Sequence, residues 1–221
     1  MRHEEVPGHP GVVTARVSEA AGPARALASV LDDDERARAA RFRFPADADR
    51  HRVAHVLLRL VLGRHVGEPP GRLVLLRRPC AGCGGPHGKP YLRGHDSAHF
   101  SLSHAGDRVL VAVAPVPVGV DVEAVPEAGL VRDMTGALHP RERAELDALP
   151  ASARPAAFAR CWTRKEAALK ASGTGLARGA AEPYAGTAAR PARIPGLHLV
   201  DLPPLDGHLA ALALLSPPET A

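Results

Sequence analysis

The stretch Val118-Gly119-Val120-Asp121-Val122-Glu123 repeats with the period of two that a β-strand requires. Side chains at positions i and i+2 of a strand point to one face, so Val120 and Val122 are expected in the core. Asp121 and Glu123 then emerge together on the opposite face. Like charges this close repel each other, and a hard cation held between them removes that penalty. A solvated outer face at a strand end is the alternative that an isolated acidic pair leaves open.

A second stretch, Trp162-Thr163-Arg164-Lys165-Glu166-Ala167-Ala168-Leu169-Lys170, has helical character. Glu166 and Lys170 are four residues apart on one helix face, and Trp162 lies one turn earlier. An exposed salt bridge is one interpretation of this spacing, but a row that begins with the only Trp favours a packed surface. If that surface packs toward the strand of Asp121, Glu166 becomes a third carboxylate there. Lys165 and Lys170 are then expected to face phosphates that a metal would hold.

Working outward, the dipeptide repeat Ala114-Pro115-Val116-Pro117 predicts an extended connector, so the halves are residues 1–116 and 117–221. Each half offers helices and about three strands, which predicts two similar α+β units packed together. In the first half we predict helices over 32–44 and 47–66 and strands over 73–76, 98–103 and 109–114. In the second we predict a strand over 118–123, helices over 127–138, 140–149 and 152–171, a surface segment over 177–195, and strands over 197–201 and 208–215. The helix over 152–171 is expected to be the longest and to end at Gly173.

Composition places the chain among folded, soluble proteins. It has 221 residues, 45% of them apolar, and 28 basic against 24 acidic side chains, for a net charge of +4. No apolar run approaches the roughly 20 residues of a membrane span, and Met1–Pro10 lacks the character of a secretory segment. We therefore expect a cytoplasmic protein that does not bind a membrane. An aromatic content of 3% weighs against nucleic acid as a partner, whereas phosphorylated small molecules or acidic proteins suit the basic charge.

Lysine is rare among the basic residues. Three of the 28 are lysines, at Lys89, Lys165 and Lys170, and the other 25 are arginines. Lys and Arg differ in shape, hydration and ease of proton loss, so a lysine kept in such a composition can mark a need for an ammonium group. Chance is the alternative, since three residues are few.

A cysteine-rich loop offers a separate metal hypothesis. Cys80, Cys83 and His87 have the spacing of a zinc half-site, and a fourth ligand would have to come from His95 or His99. The sequence favours the alternative of a reduced loop without metal.

These motifs, taken in order, resemble the Sfp-type 4′-phosphopantetheinyl transferases, enzymes that activate acyl and peptidyl carrier proteins. The resemblance covers residues 34–176. Besides the two stretches above, the matching motifs are Gly88-Lys89-Pro90, Phe100-Ser101-Leu102-Ser103-His104 and Gly173-Thr174-Gly175-Leu176, with a weaker match around Arg41–Arg59. The cysteine loop departs from the family pattern, as does Arg38, which stands near a family lysine.

The resemblance implies an α+β pseudo-dimer of two similar halves with the active site in the cleft between them. It implies coenzyme A as co-substrate and Mg²⁺, or alternatively Mn²⁺, as the metal. The implied metal ligands are Asp121, Glu123 and Glu166. The implied coenzyme A contacts are Arg50, Lys89, Pro90, Ser103, His104, Asp121, Lys165 and Lys170, with His104 at the 3′-phosphate.

The implied reaction has a carrier-protein serine attack the β-phosphorus of coenzyme A and expel 3′,5′-ADP. Glu166 is the expected general base, directly or through a water molecule. Lys170 is the expected group that stabilises or protonates the departing phosphate. The expected partners are coenzyme A and an acyl or peptidyl carrier protein, and we expect a monomer.

Two alternatives stay open at this point. One is a Mg²⁺-dependent phosphodiesterase or nucleotidyl transferase that uses the same three carboxylates, although it gives no reason for the motifs around Lys89 and Ser103. The other is a zinc-bearing, arginine-rich binding module centred on Cys80.

Overall fold

The computed structural model describes residues 1–80, 84–86, 88–175 and 179–216. Its first half contains six strands and three α-helices. The strands are β1 (Glu4–Glu5), β2 (Val12–Arg16), β3 (Leu75–Arg77), β4 (Pro90–Leu92), β5 (His99–Ala105) and β6 (Arg108–Ala114). The helices are α1 (Val17–Ala26), α2 (Asp33–Arg41) and α3 (Pro45–Val66).

The second half contains three strands and three α-helices. The strands are β7 (Val118–Ala124), β8 (Leu197–Asp201) and β9 (His208–Leu215). The helices are α4 (Ala128–Thr135), α5 (Pro140–Asp147) and α6 (Arg154–Ser172). Both halves therefore combine antiparallel strands with helices, and the predicted α+β class is confirmed.

Two main sheets carry the fold. The first has the strand order β1-β2-β6-β5 and the second the order β7-β9-β8, both antiparallel, while β3 and β4 form a separate ribbon. In the described chain no helix is both long and apolar enough to cross a membrane.

Strand β6 links the two cores because it is buried on both faces. Val109 and Val111 pack with Val53 and Leu57 of α3 in the core of the first half. Leu110, the residue between them, packs with strands of the second half. Because successive side chains of β6 point to opposite faces, this one strand contributes to both cores and holds the halves together.

Strands β5 and β7 lie side by side where the halves meet, and serine side chains join them. Ser101 Oγ accepts a hydrogen bond from the Val120 amide at 3.0 Å. Ser103 Oγ accepts from the Val122 amide at 3.4 Å. Hydroxyls thus stand in for part of a strand ladder between the halves, because they satisfy backbone amides of β7 that would otherwise be buried without partners.

Several predicted elements agree closely with the structure. Strands β8 and β9 have the predicted bounds, and α3 and β7 differ from theirs by one or two residues. Pro45, expected to stop the preceding helix, is also the first residue of α3. Helix α6 ends as predicted at Gly173, whose φ of 74° is left-handed and suits glycine.

Other predictions are corrected. No strand is predicted before residue 73, yet β1 and β2 form there, and α1 is a further helix. Helix α3, with 22 residues, is longer than α6, with 19. The connection between the predicted strands 98–103 and 109–114 is shorter than expected, because β5 continues to Ala105 and β6 begins at Arg108. The segment expected on the surface is partly buried, since Ala185 and Thr187 are 0% and 4% exposed.

Candidate active site

Strand β7 brings Asp121 and Glu123 to the meeting line of the two halves. Val120 and Val122 enter the core as predicted. Asp121, in the middle of the strand, is only 3% exposed, because β5 and α6 cover it. Glu123 lies near the strand end and is half-buried. The carboxylates therefore lie in a cleft rather than on a solvated outer face.

Helix α6 packs directly on β7 because Gly119 has no side chain. A Cβ at position 119 would stand 1.9 Å from the Ala167 carbonyl oxygen and 2.5 Å from the Ala171 amide nitrogen. This close approach places Glu166 and Lys170, which lie on the same helix face, beside the acidic strand.

Lys170 bridges β7 and β5. Its Nζ donates to Asp121 Oδ1 at 2.6 Å, to Ser103 Oγ at 3.0 Å and to the Val120 carbonyl at 3.2 Å. Ser103 in turn donates its hydroxyl hydrogen to Asp121 Oδ1 at 2.7 Å. Four residues from three elements therefore form one hydrogen-bonded group at the centre of the cleft.

The electrostatics of the three carboxylates favour the neutral form. Burial raises the pKa of Asp121 despite the nearby Lys170. Burial, followed by the charge of Asp121, raises the pKa of Glu123 to about 7. The same two causes raise the pKa of Glu166. Burial and the repulsion between carboxylates thus outweigh the attraction of Lys170 for their ionised forms.

One oxygen at the centre has no partner. Asp121 Oδ2 is buried and accepts no hydrogen bond within the described chain. A buried carboxylate oxygen without a donor is costly, and a cation is one group that satisfies it. In the described residues no three His, Cys, Asp or Glu side chains are already gathered as a metal site.

Arg50 and His104, here called the rim, lie close to each other, and His104 also lies near Lys170. Arg50 pairs with Asp47, and its Nε is buried without a partner in the described structure. His104 is exposed, yet partial desolvation and then the charge of Arg50 lower its pKa. The predicted neighbours Arg50 and His104 therefore lie close enough to influence each other, although the sequence separates them by more than 50 residues.

Lys89 lies at the seam between the halves. Its Nζ donates to the carbonyls of Val118 at 3.0 Å and Ala171 at 2.8 Å. Burial without a carboxylate partner lowers the pKa of Lys89 to about 8. Pro90, the next residue, begins β4 and is half-buried. Lys89 thus ties the first half to both β7 and α6.

Lys165 does not lie with the other predicted contacts. Its side chain is 1% exposed, and its Nζ binds Glu142 Oε2 at 2.7 Å. The sequence-based expectation that Lys165 and Lys170 face the same phosphates does not agree with this geometry. The reason is helical: residues five apart are rotated by about 140° around the axis, so one faces the cleft and the other faces away.

The predicted zinc half-site falls partly outside the described residues, which include neither Cys83 nor His87. Cys80 is buried, and His95 is engaged with Glu68 at 2.8 Å.

Two residues with structural roles around the site, Ser101 and Glu142, were not predicted from the sequence. Ser101 shares a strand face with Ser103, and this i, i+2 spacing was the signal that could have identified it. Glu142 is 0% exposed and binds Lys165. It occupies the third position of a helix that begins with Pro140, where a capping glutamate is expected but a buried ion pair is not.

A cleft that combines three carboxylates with lysine, arginine and histidine is of the kind that handles phosphorylated substrates. The family model described as 4′-phosphopantetheinyl transferase superfamily matches residues 117–191. The model described as 4′-phosphopantetheinyl transferase, N-terminal, matches residues 22–116. The chain is an enzyme and belongs to the 4′-phosphopantetheinyl transferase superfamily, which confirms the resemblance.

Individual relatives agree with this assignment. The chain is 34% identical over 196 residues to the 4′-phosphopantetheinyl transferase HetI of Nostoc, an alignment of 85% of this chain and 80% of the relative. It is 34% identical to psf-1 of Bacillus pumilus over 66% of this chain and 59% of the relative. It is 27% identical to Sfp of Bacillus subtilis over 67% of this chain and 62% of the relative. The last two alignments thus span about three fifths of the relatives' lengths.

Proposed function

We propose that the chain transfers the 4′-phosphopantetheine group of coenzyme A to a serine hydroxyl of an acyl or peptidyl carrier protein. The reaction takes place in the cleft between β5, β7 and α6. The observation that carries the proposal is the buried, partnerless Oδ2 of Asp121, close enough to Glu123 and Glu166 to raise the pKa of each, with Lys170 bound to the other oxygen. In a member of this superfamily, such a site suits the pyrophosphate of coenzyme A.

The three carboxylates fit a divalent cation. Asp121 Oδ2 lacks a donor, and burial with mutual repulsion raises the pKa of Glu123 and Glu166. Mg²⁺, with Mn²⁺ as an alternative, is the proposed ion, since hard oxygen ligands and substrate phosphates suit it. When bound, the cation supplies positive charge that neutralises the pyrophosphate and the charge developing in the transition state.

Glu166 acts as the general base. Its carboxylate accepts the proton of the attacking serine, and its raised pKa makes it a stronger base than an exposed glutamate. The serine oxygen then forms a bond to the β-phosphorus as the bond from that phosphorus to the bridging oxygen breaks. The electron pair of the broken bond leaves with the 5′-phosphate of 3′,5′-ADP.

Lys170 serves the departing phosphate. Its ammonium group lies 2.6 Å from Asp121 Oδ1, where it is held at the centre of the site. An ammonium can both stabilise the new phosphate charge and release a proton to it, which a guanidinium does poorly.

The rim binds the rest of coenzyme A. Arg50 and His104 are the proposed contacts of the 3′-phosphate, because they lie close enough together for the charge of Arg50 to lower the pKa of His104. A bound phosphate would favour the protonated imidazole and oppose the lowered pKa of His104. Lys89 and Pro90 are proposed to line the same path, with the remaining N–H of Lys89 free of the two carbonyls it binds.

Mass spectrometry tests the proposal directly. An apo carrier protein incubated with the chain, coenzyme A and Mg²⁺ should gain the mass of phosphopantetheine, and a chelator should prevent the gain. Glu166→Gln should abolish transfer while coenzyme A binding stays measurable. Glu127→Gln, which neutralises an exposed carboxylate before α4, is the matched control and should stay active. Full activity of the Glu166 variant would contradict the assigned base.

A further inference from the structure

The side of α6 that faces away from the cleft carries a fully buried ion pair. Lys165 is 1% exposed and Glu142, on α5, is 0% exposed. The Lys165 Nζ donates to Glu142 Oε2 at 2.7 Å, to the Ala181 carbonyl at 3.1 Å and to the Pro183 carbonyl at 2.7 Å. All three ammonium hydrogens therefore have acceptors.

Glu142 is equally well satisfied. Its Oε1 accepts from the amides of Ala185 at 2.7 Å and Gly186 at 3.2 Å. Its Oε2 accepts from the amide of His139 at 3.0 Å, in addition to Lys165. One carboxylate thus joins the start of α5, the segment around residue 185 and the middle of α6.

Arg164 strengthens the same attachment. It is 0% exposed and makes a bidentate pair with Asp201 of β8, at 2.7 and 2.6 Å. It also donates to the Gly186 carbonyl at 2.7 Å. Adjacent residues of α6 therefore hold β8, α5 and the segment around 185, so a rotation of the helix would break several charged hydrogen bonds at once.

Stability alone is a poor explanation for this pair. Desolvation of two charges commonly cancels their attraction, and apolar residues of similar volume often serve a core as well or better. A buried, directional pair does fix one geometry among several that an apolar contact would tolerate. Here the pair fixes the orientation of α6 at Lys165, and the next residue along this helix is Glu166.

We propose that the Glu142–Lys165 pair sets the rotation of α6 and thereby the aim of Glu166 and Lys170 at Asp121. Glu142 and Lys165 are positioning residues, and Lys165 does not touch coenzyme A. The inference rests on the proposed function, because it assigns a role in the same reaction. It also explains the residue type: three acceptors surround one nitrogen, an arrangement that a compact ammonium satisfies and a planar guanidinium does not.

The test compares Glu142→Gln and Lys165→Met with the double variant Glu142→Leu/Lys165→Met. We expect kcat to fall about tenfold to a hundredfold in each, since small misplacements of catalytic groups have effects of that size. KM for coenzyme A should stay within about twofold, and the double variant should be no worse than the worse single variant. Arg160→Met, which removes one bond to the Thr187 carbonyl from the same helix, is the control and should keep kcat.

Three results would overturn the inference. The first is a kcat near that of the parent chain in folded single variants. The second is a loss of coenzyme A affinity in Lys165→Met that Glu142→Gln does not share, since this pattern marks a ligand contact. The third is unchanged kcat in the double variant, which also decides the matter if a single variant fails to fold with an unpaired buried charge.

A second readout separates this inference from the proposed function. Mn²⁺ binding, measured by calorimetry without substrate, should weaken about tenfold in Lys165→Met, as it does when groups behind a metal ligand are lost. If the parent chain transfers nothing, the proposed function fails and Mn²⁺ binding still decides the positioning role. An unchanged Mn²⁺ dissociation constant in that case overturns it.

Discussion

The three lysines share one structural property, which is the surroundings of the side-chain nitrogen. Each places its nitrogen among two or three oxygen acceptors in a confined position: Lys89 between two carbonyls, Lys165 among three acceptors and Lys170 among three. An ammonium suits such a cage because its three hydrogens point in separate directions from one atom. The scarcity of lysine in the sequence therefore identified three sites, although for Lys165 it gave the wrong neighbour.

Lys170→Arg tests this distinction at the catalytic centre. The change keeps the charge, but a guanidinium is too large for a nitrogen site with acceptors at 2.6 to 3.2 Å and does not release its proton. We expect kcat to fall by at least about tenfold, because general acid catalysis typically contributes about a hundredfold or more. Single-turnover kinetics with saturating coenzyme A would measure it. Arg132→Lys on the exposed face of α4 is the reverse control, and equal effects of the two exchanges would refute the argument.

The raised pKa of Glu123 predicts how the stability of the protein and its binding of a cation depend on pH. Its pKa rises from 4.5 in the unfolded chain to about 7 in the folded protein, so folding favours the protonated form. This contribution to stability is complete below pH 4.5 and is lost as the pH rises through 7. Without cation, the melting temperature of the parent chain should therefore fall relative to that of Glu123→Gln over this range. Added Mg²⁺ should stabilise the parent more at pH 8 than at pH 6, because protons then no longer compete for the carboxylate. Equal stabilisation at both values would contradict the assignment of Glu123 as a ligand.

At the scale of elements, sequence patterns predicted those strands and helix ends that are determined by residues near them in the chain. The alternation in β7 and the glycine after α6 fix a strand and a helix end with few alternatives. Strand β2 and helix α1 were not predicted, and for α1 the reason is that Gly22 and Pro23 lie inside it and argue locally against a helix. Tertiary packing overrides that preference, since α1 packs against α3 and buries Ala20 and Ala24.

The rotation of α6 was equally hidden from the sequence. Neighbours along a helix are about 100° apart, so Glu166 and Lys165 can serve different surfaces although they are adjacent. The three carboxylates could be predicted from motif and strand spacing. The partner of Lys165 could not, because Glu142 lies 23 residues away and its burial depends on how three elements meet.

Gly119→Ala tests the contact between α6 and β7. The added methyl would meet the Ala167 carbonyl at 1.9 Å and force helix and strand apart. We expect a loss of about 1 to 3 kcal/mol in the free energy of unfolding, together with weaker catalysis because Glu166 moves away from Asp121. Urea denaturation measures the first effect. Gly22→Ala is the control: it lies in α1 with no atom within 4 Å of the added methyl, so it should be neutral or stabilising. A Gly119 variant as stable as the parent would mean that the two elements are not this tightly packed.

At the scale of the whole molecule, positive charge lies outside as well as inside the cleft. The stretch from Arg36 to Ala46 is exposed except where Ala39 is buried, and it includes Arg38, Arg41 and Arg43. Phe42 and Phe44, two of the four phenylalanines, are exposed there at 38% and 57%. The basic excess that composition showed is thus available to a protein partner of opposite charge.

Under the proposed function, that charge predicts a salt-sensitive encounter with the carrier, because acyl and peptidyl carrier proteins are generally acidic. Screening lengths shorten from about 10 Å at 0.1 M salt to about 3 Å at 1 M, so attraction between separated surface charges is largely lost over this range. With coenzyme A and Mg²⁺ saturating, we expect the KM for carrier to rise at least about tenfold between these concentrations while kcat changes much less. Steady-state transfer rates at stepped NaCl concentrations measure it, and a zwitterionic solute at equal osmolarity should leave KM unchanged. A KM that does not respond to salt would show that apolar contacts dominate docking, and the arginine excess would then need another explanation.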